Sequence, residues 1–89
     1  MTTDTTYNGW TNYATWRVNL EIFDGMSPRD VTDTRDVEAY ELGQAMKEYA
    51  ELIMEDRATG LALDYALAFL SDVNWYEIAT HKIEEYENA

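Results

Sequence analysis

The sequence predicts an all-α fold, a compact bundle of about four helices with one short extra helical turn. Apolar residues recur at three- and four-residue spacing along most of the chain, alternating β-branched runs are missing, and helix-start signatures divide the chain into helix-length segments. With 89 residues, 46% of them apolar, and with no repeat or long linker, the chain should form a single domain over residues 1–89. Residues 1–6 lack an apolar anchor, so we expect them to be frayed.

The first helix should follow a tight turn at Asn8-Gly9, because both residues tolerate a positive φ. Thr11 or Asn12 is the expected cap, and the helix should run from about Asn12 to Asp24 and stop at Gly25. Trp10 precedes the cap, where a hydrophobic staple would place it near Thr15 or Trp16.

The middle of the chain predicts one short turn and one long helix. Ser27-Pro28-Arg29-Asp30 is a helix-start signature that is soon interrupted. The long helix should begin near Asp33 or Thr34 and extend to about Arg57. Its apolar stripe is Leu42, Ala45, Met46, Tyr49, Leu52 and Ile53, with Val37 and Tyr40 at the edge. Its opposite side carries Glu41, Glu48, Glu51 and Glu55.

Two further helices complete the prediction. Residues 61–70 are apolar around nearly the whole circumference, which predicts either a buried central helix or a helix shared between the core and a dimer partner. The last helix should start at Asn74, with Glu77 completing a capping box. Its buried stripe would be Trp75, Ala79, Ile83 and Tyr86. The expected core is built on Trp10, Trp16, Leu20, Leu67, Phe69 and Trp75.

Charge is the most unusual property of the composition. Asp and Glu number 18 against 6 Lys and Arg, which gives a formal net charge of −12. Direct nucleic-acid binding is disfavoured because it depends on basic residues that neutralise phosphates, so a basic protein partner is favoured instead. Simple solubility or a high-salt habitat would also account for the acidity. The chain shows neither a membrane span nor a secretory signal, which favours the cytoplasm.

Few residues are candidates for catalysis. The chain has one histidine, no cysteine and no glycine-rich phosphate loop, and its two serines fall at predicted helix caps. His81 with Glu77 and Glu85 has the spacing of a metal site on one helical face, but a solvated acidic face would look the same. We therefore predict no enzyme activity, no cofactor and no metal.

Two further functional interpretations have structural alternatives: an acid/base pair of carboxylates and a ligand-stacking site of tryptophans. Asp64 and Glu21 are candidates for an acid/base pair, although both also suit charges at a bundle edge, with Asp64 paired to Arg17. Trp10 and Trp16 would suit a ligand-stacking site or, as we favour, anchors of the core.

Two segments resemble motifs of small uncharacterised proteins of phages, plasmids and other mobile elements. Asn8-Gly9-Trp10-Thr11-Asn12, followed by Thr15-Trp16, is similar to N-G-W-T-N-x-E-T-W-x-V, with Ala14 in place of the motif's Glu. Residues 74–81 are similar to the closing segment N-W-x-E-I-A-x-H of the same proteins. Mobile elements use small acidic proteins as anti-restriction DNA mimics or anti-CRISPR inhibitors.

The resemblance and the charge together suggest a function and a host-cell location. We expect an acidic inhibitor, acting in the host cytoplasm, that binds a basic, nucleic-acid-binding site of a host defence complex. The candidate partner-binding residues are Glu41, Glu48, Glu51, Glu55, Glu77, Glu84 and Glu85, supplemented by Glu87. The alternative is a non-catalytic interaction module, for instance a homodimer formed through residues 61–70, whose acidity serves solubility or salt adaptation.

Overall fold

A computed structural model describes residues 6–32 and 37–87 and confirms the all-α prediction. The helices are α1 (Tyr13–Val18), continued by a π-helical segment (Asn19–Phe23), α2 (Pro28–Val31), α3 (Ala39–Arg57), α4 (Gly60–Ser71) and α5 (Trp75–Glu87). In this part of the chain no strand forms apart from the isolated bridge between Tyr7 and Trp10. The expected fraying of residues 1–6 falls almost entirely outside the described residues.

The turn before α1 forms as its sequence predicts. Asn8 and Gly9 have φ values of 48° and 86°, and the backbones of Tyr7 and Trp10 exchange two hydrogen bonds of 2.8 and 2.9 Å. Two positive φ values in succession define a type I′ turn, for which Asn-Gly is the preferred sequence. This turn fixes the entry of the chain into α1.

The first helix covers nearly the predicted range, but its second half is π-helical. Asn12 is the cap, because its side chain accepts a hydrogen bond of 2.9 Å from the Thr15 amide. The π-helical segment ends at Phe23, and Gly25 follows with φ of 80°. Hydrophobic periodicity does not distinguish a π-helical turn from an α-helical one, so this change could not be predicted from the spacing of apolar residues.

α2 is the predicted short turn. The Asp30 carboxylate accepts a hydrogen bond of 2.8 Å from the Ser27 amide, and Pro28 occupies the first helical position. The predicted start of the next helix was wrong. Asp33 and Thr34 lie outside the described residues, Glu38 is extended, and α3 begins only at Ala39, close to the first buried residue of its stripe, Leu42.

The core lies mainly between α3 and α5. Phe23, Leu42, Met46 and Ile78 are its largest fully buried apolar side chains. Gly43 brings the two helices close together, because a Cβ at this position would lie 3.0 Å from the carbonyl oxygen of Trp75. This approach lets the first turn of α5 pack directly on the backbone of α3.

The predicted core was largely wrong, and α4 was the main error. Of the six residues expected there, only Trp75 is buried, whereas Leu20 is 48% exposed and Phe69 is 38% exposed. Trp10 and Leu67 pack against the edge of the core, and Trp16 is half-buried. The first helix lies at the border of the α3–α5 core, and α4 contributes only one face to it. Apolar composition identified α4 as a packing element but did not show how many of its sides are covered.

Within residues 6–32 and 37–87, every helix is too short or too polar to cross a bilayer.

Candidate interaction surfaces

A network of hydrogen bonds joins the starts of α1 and α5. The Thr15 hydroxyl is fully buried, donates to the Asn12 side-chain oxygen at 2.7 Å and accepts from the Asn74 amide at 2.9 Å. The Asn12 side-chain amide in turn donates to the Asp72 carbonyl at 2.8 Å. The two segments that resemble mobile-element motifs therefore meet in space and cap each other.

The capping box predicted at Asn74 is completed across the two segments. The Asn74 side chain accepts a bond of 3.1 Å from the Glu77 amide, as expected. The Glu77 carboxylate, however, accepts a hydrogen bond from the Thr11 backbone amide at 2.9 Å, while the backbone amide of Asn74 donates to the Thr15 hydroxyl. Glu77 therefore has a structural partner, although the sequence marked it as a partner-binding residue.

The two tryptophans of the first segment lie in different environments. Trp10 stacks on His81 of α5, with ring centroids 4.3 Å apart, instead of forming a staple with Thr15 or Trp16. Trp16 packs with Tyr7, at a centroid distance of 4.9 Å. The paired-tryptophan ligand site therefore has no geometric support.

The Trp10–His81 pair borders an open groove of about 430 Å³. Lys82 lines it as well, is 4% exposed and lies 3.7 Å from the Glu85 carboxylate. The side-chain oxygen of Asn19 is buried at this groove without a hydrogen-bond partner. No group of three or more His, Cys, Asp or Glu side chains in the described part of the chain is arranged to hold a metal ion.

The expected pairing of Asp64 with Arg17 was wrong. The Arg17 guanidinium donates to the Tyr13 hydroxyl and lies 2.7 Å from the Glu21 carboxylate, one turn along the same helix. The bond to Tyr13 and the contact with Glu21 raise the pKa of Arg17 above its ordinary value. Glu21 and Asp64 are both exposed and therefore lack the shielded cleft that an acid/base pair would need.

The acidic row of α3 lies on the side of the helix that faces away from the core. Glu41, Glu48 and Glu55 recur every seven residues and are exposed, while Glu51, on the same side, is half-buried. The two ion pairs within residues 6–32 and 37–87 join Arg17 to Glu21 and Lys82 to Glu85, so neither includes a carboxylate of α3. The negative charge of this row is therefore not neutralised within the described structure.

The carboxylates of α5 belong to a different surface. Glu84 and Glu85 are exposed, and Glu77 is half-buried, on the sides of α5 away from its buried residues. Because α3 and α5 pack through their buried faces, these two acidic rows point away from each other. The structure thus divides the predicted partner-binding residues into two groups. The side chain of Glu87 lies outside the described part.

α4 presents an apolar face that is mostly open to solvent, although Phe69 at one end of it packs edge-on against Tyr13 with ring centroids 6.4 Å apart. Its core side consists of Leu63, Ala66, Leu67 and the buried Leu70. Its outer side consists of Leu61, Ala62, Tyr65, Ala68 and Phe69, which we call the α4 outer face. Leu61 is 66% exposed and Tyr65 is 69% exposed. The nearly uninterrupted run of apolar residues 61–70 predicted a packing element, and the structure shows which side of the helix is exposed.

One family model matches nearly the whole chain. A family model described as a family of unknown function, DUF7249, matches residues 3–88. The chain belongs to this family. The DUF7249 match includes both segments that cap each other at the starts of α1 and α5. Comparison with curated proteins and with solved structures gave no match.

Proposed function

We propose that this DUF7249 protein is a non-catalytic inhibitor that binds a basic, nucleic-acid-binding site of a host defence complex through the acidic face of α3. The observation that carries the proposal is the row formed by Glu41, Glu48 and Glu55, exposed on one side of a single 19-residue helix and without an ion pair in the described structure. Such a row is a rigid line of negative charge that is available to a cationic partner.

The dimensions of this row suit a groove that holds nucleic acid. Fourteen residues separate Glu41 from Glu55, which corresponds to about 21 Å along an α-helix. Duplex DNA rises about 3.4 Å per base pair, so the row spans about six base pairs. A basic groove that contacts phosphates over this length would meet carboxylates along the same distance, and the net charge of −12 would accelerate the encounter.

The acidity of the row costs helix stability, which favours a functional role over an incidental one. Glu51 is three residues from Glu48 and four from Glu55, and like charges at these spacings destabilise a helix by about 0.2–0.5 kcal/mol per pair. The opposite charge of Lys47, four residues before Glu51, offsets about one of these two pairs, so a net repulsion of about one pair remains. Of the seven predicted partner-binding residues, those of α3 form the proposed surface. The α5 carboxylates face elsewhere, and Glu77 is already hydrogen-bonded to Thr11.

The host-defence setting rests on the resemblance to mobile-element proteins. Small acidic proteins of such elements block defence nucleases by occupying the nucleic-acid groove. The second candidate function is an interaction module that acts through the α4 outer face, with acidity serving solubility or salt adaptation. The large exposed fractions of Leu61 and Tyr65 favour this second candidate.

A pull-down from lysates of bacteria that carry restriction or CRISPR systems tests the proposal. The bait is the intact chain, and the washes use increasing salt concentrations. The test variant is Glu48→Lys/Glu55→Lys, and the matched control is Asp24→Lys/Asp72→Lys, which reverses two exposed carboxylates elsewhere. Each double reversal changes the formal net charge from −12 by +4 to −8, so the two variants differ only in where the charge is altered.

We expect the wild-type chain and the control to recover a nucleic-acid-binding defence subunit that is released at high salt, and the α3 variant to lose it. Equal loss with both double variants would show that total charge, and not the α3 face, is responsible. Full recovery with the α3 variant would overturn the proposal.

A further inference from the structure

The α4 outer face has the properties of an interface between two copies of this chain. It contains five exposed apolar side chains and no charge, and the single charged residue of α4, Asp64, lies at its edge. The largest of these side chains, Tyr65, is 69% exposed. Burying such side chains in water-excluding contact is favourable, so a face of this kind is typical of an interaction site.

The order of residues along the face is symmetric about Tyr65. Leu61 and Phe69 lie four positions to either side, and Ala62 and Ala68 lie three positions to either side. In an antiparallel pair of α4 helices related by a two-fold axis at Tyr65, each large residue at one end would meet the large residue at the other end of the second copy. The two small residues would also face each other, which allows the helices to approach closely.

Charge favours a second copy at this face over any other face of the molecule. Two chains that each carry −12 repel each other, and the acidic sides of α3 and α5 would place carboxylates against carboxylates. The α4 outer face is free of charge, so two copies can meet there with the least repulsion. We propose that the protein forms a two-fold symmetric dimer through antiparallel pairing of the α4 outer faces.

The area of the face determines how strong this dimer should be. The exposed fractions of the five side chains leave on the order of 400–500 Å² of apolar surface per chain. Two such faces give roughly 800–1,000 Å² in total, which is below the area of stable specific interfaces and in the range of weak, transient ones. The dimer should therefore be weak and concentration-dependent, and salt should strengthen it because screening reduces the repulsion between the chains.

Sedimentation equilibrium across a wide range of protein concentrations tests the association. The wild-type average mass should rise from the monomer value of 10.3 kDa toward twice that value, and the rise should begin at lower concentration in high salt. Tyr65→Glu should raise the dissociation constant at least about tenfold. Tyr76→Glu is the matched control, because Tyr76 is also an exposed tyrosine (59%) but lies on α5, and it should dimerise like wild type. A wild-type chain that stays monomeric at all concentrations, or a Tyr65→Glu variant that dimerises like the control, would overturn the proposal.

Cysteine cross-linking tests the register independently. The natural chain has no cysteine, so a single introduced cysteine reports on one position. Tyr65→Cys should form a disulfide dimer readily because the two copies of residue 65 meet at the axis. Leu61→Cys should not form one, because residue 61 of each copy faces residue 69 of the other. The two copies of residue 61 are therefore separated by eight residues, which is about 12 Å along the helix. Fast cross-linking of both variants would instead show parallel pairing, and slow cross-linking of Tyr65→Cys would place residue 65 away from the axis; either result would contradict the proposed arrangement.

Discussion

The buried hydroxyl of Thr15 connects the two helix starts, so its removal should destabilise the whole fold. Thr15→Val keeps the shape of the side chain but removes the bond donated to Asn12 and the bond accepted from the Asn74 amide. The Asn74 amide then loses its partner in a part-buried position. An unsatisfied buried donor costs about 1–3 kcal/mol, so we expect a loss of about 2–3 kcal/mol in the free energy of unfolding.

That loss is large compared with the total stability of so small a protein. A domain of 89 residues is typically stable by about 4–13 kcal/mol, and each kcal/mol lowers the melting temperature of a domain of this size by about 4–8 °C. Thermal unfolding followed by circular dichroism should therefore show a melting temperature lower by roughly 8–24 °C for Thr15→Val, and urea unfolding should show a correspondingly lower midpoint.

Thr80→Val is the matched control for this experiment. The Thr80 hydroxyl donates only to the Tyr76 carbonyl of its own helix, at 2.8 Å, so its removal leaves no donor unpaired. We expect its effect to stay below about 0.5 kcal/mol. If Thr15→Val and Thr80→Val unfold at the same temperature, the capping network does not hold the two segments together, and the reasoning is refuted.

Three further predictions follow from the backbone and the charge of the helices. Gly43→Ala should lower the free energy of unfolding in urea by about 0.5–2 kcal/mol, because the added Cβ would press on the α5 backbone. The control Gln44→Ala, at the next and exposed position, should be neutral or stabilising. Equal effects of the two substitutions would show that the helices have room to separate. Glu51→Gln should raise the melting temperature at low salt by about 1–4 °C, with the gain lost near 1 M salt, and a gain that persists in high salt would mean that like-charge repulsion is not its cause. Gly9→Ala should cost about 1–2 kcal/mol because its φ is 86°, and an unchanged urea midpoint would show that the turn before α1 contributes nothing to stability.

Local signals in the sequence correctly predicted the short-range features of the fold. The Asn-Gly turn, the first cap, for which Asn12 was one of two candidates, and the helix start at Ser27 each depend on residues within three positions of one another. For the same reason the all-α class was correct, since helical periodicity is a property of each segment by itself. The end of α3 at Arg57 was also predicted, because Ala58-Thr59-Gly60 follows it and glycine does not favour the continuation of a helix.

Long-range features could not be predicted because they depend on how segments pack. The exchange of capping partners between the Thr11–Thr15 and Asn74–Glu77 segments joins residues about sixty positions apart. The side of α4 that faces the core is decided by the position of α3 and not by the composition of α4, so the sequence left open whether this apolar helix is buried on all sides or shared between the core and a partner. The separation of the acidic residues into two surfaces likewise required the packing of α3 on α5.

If the acidic face of α3 occupies a site that otherwise holds nucleic acid, nucleic acid should displace this chain from its partner, and competitive elution measures that displacement. A partner captured on the immobilised wild-type chain is challenged with a short DNA duplex or RNA, and in parallel with simple salt at the same ionic strength. Because the nucleic acid and this chain compete for the same basic groove, we expect the nucleic acid to release the partner. Simple salt at the same ionic strength should leave the partner bound. A partner that the nucleic acid fails to displace, or that binds nucleic acid and this chain at the same time, would contradict the claim.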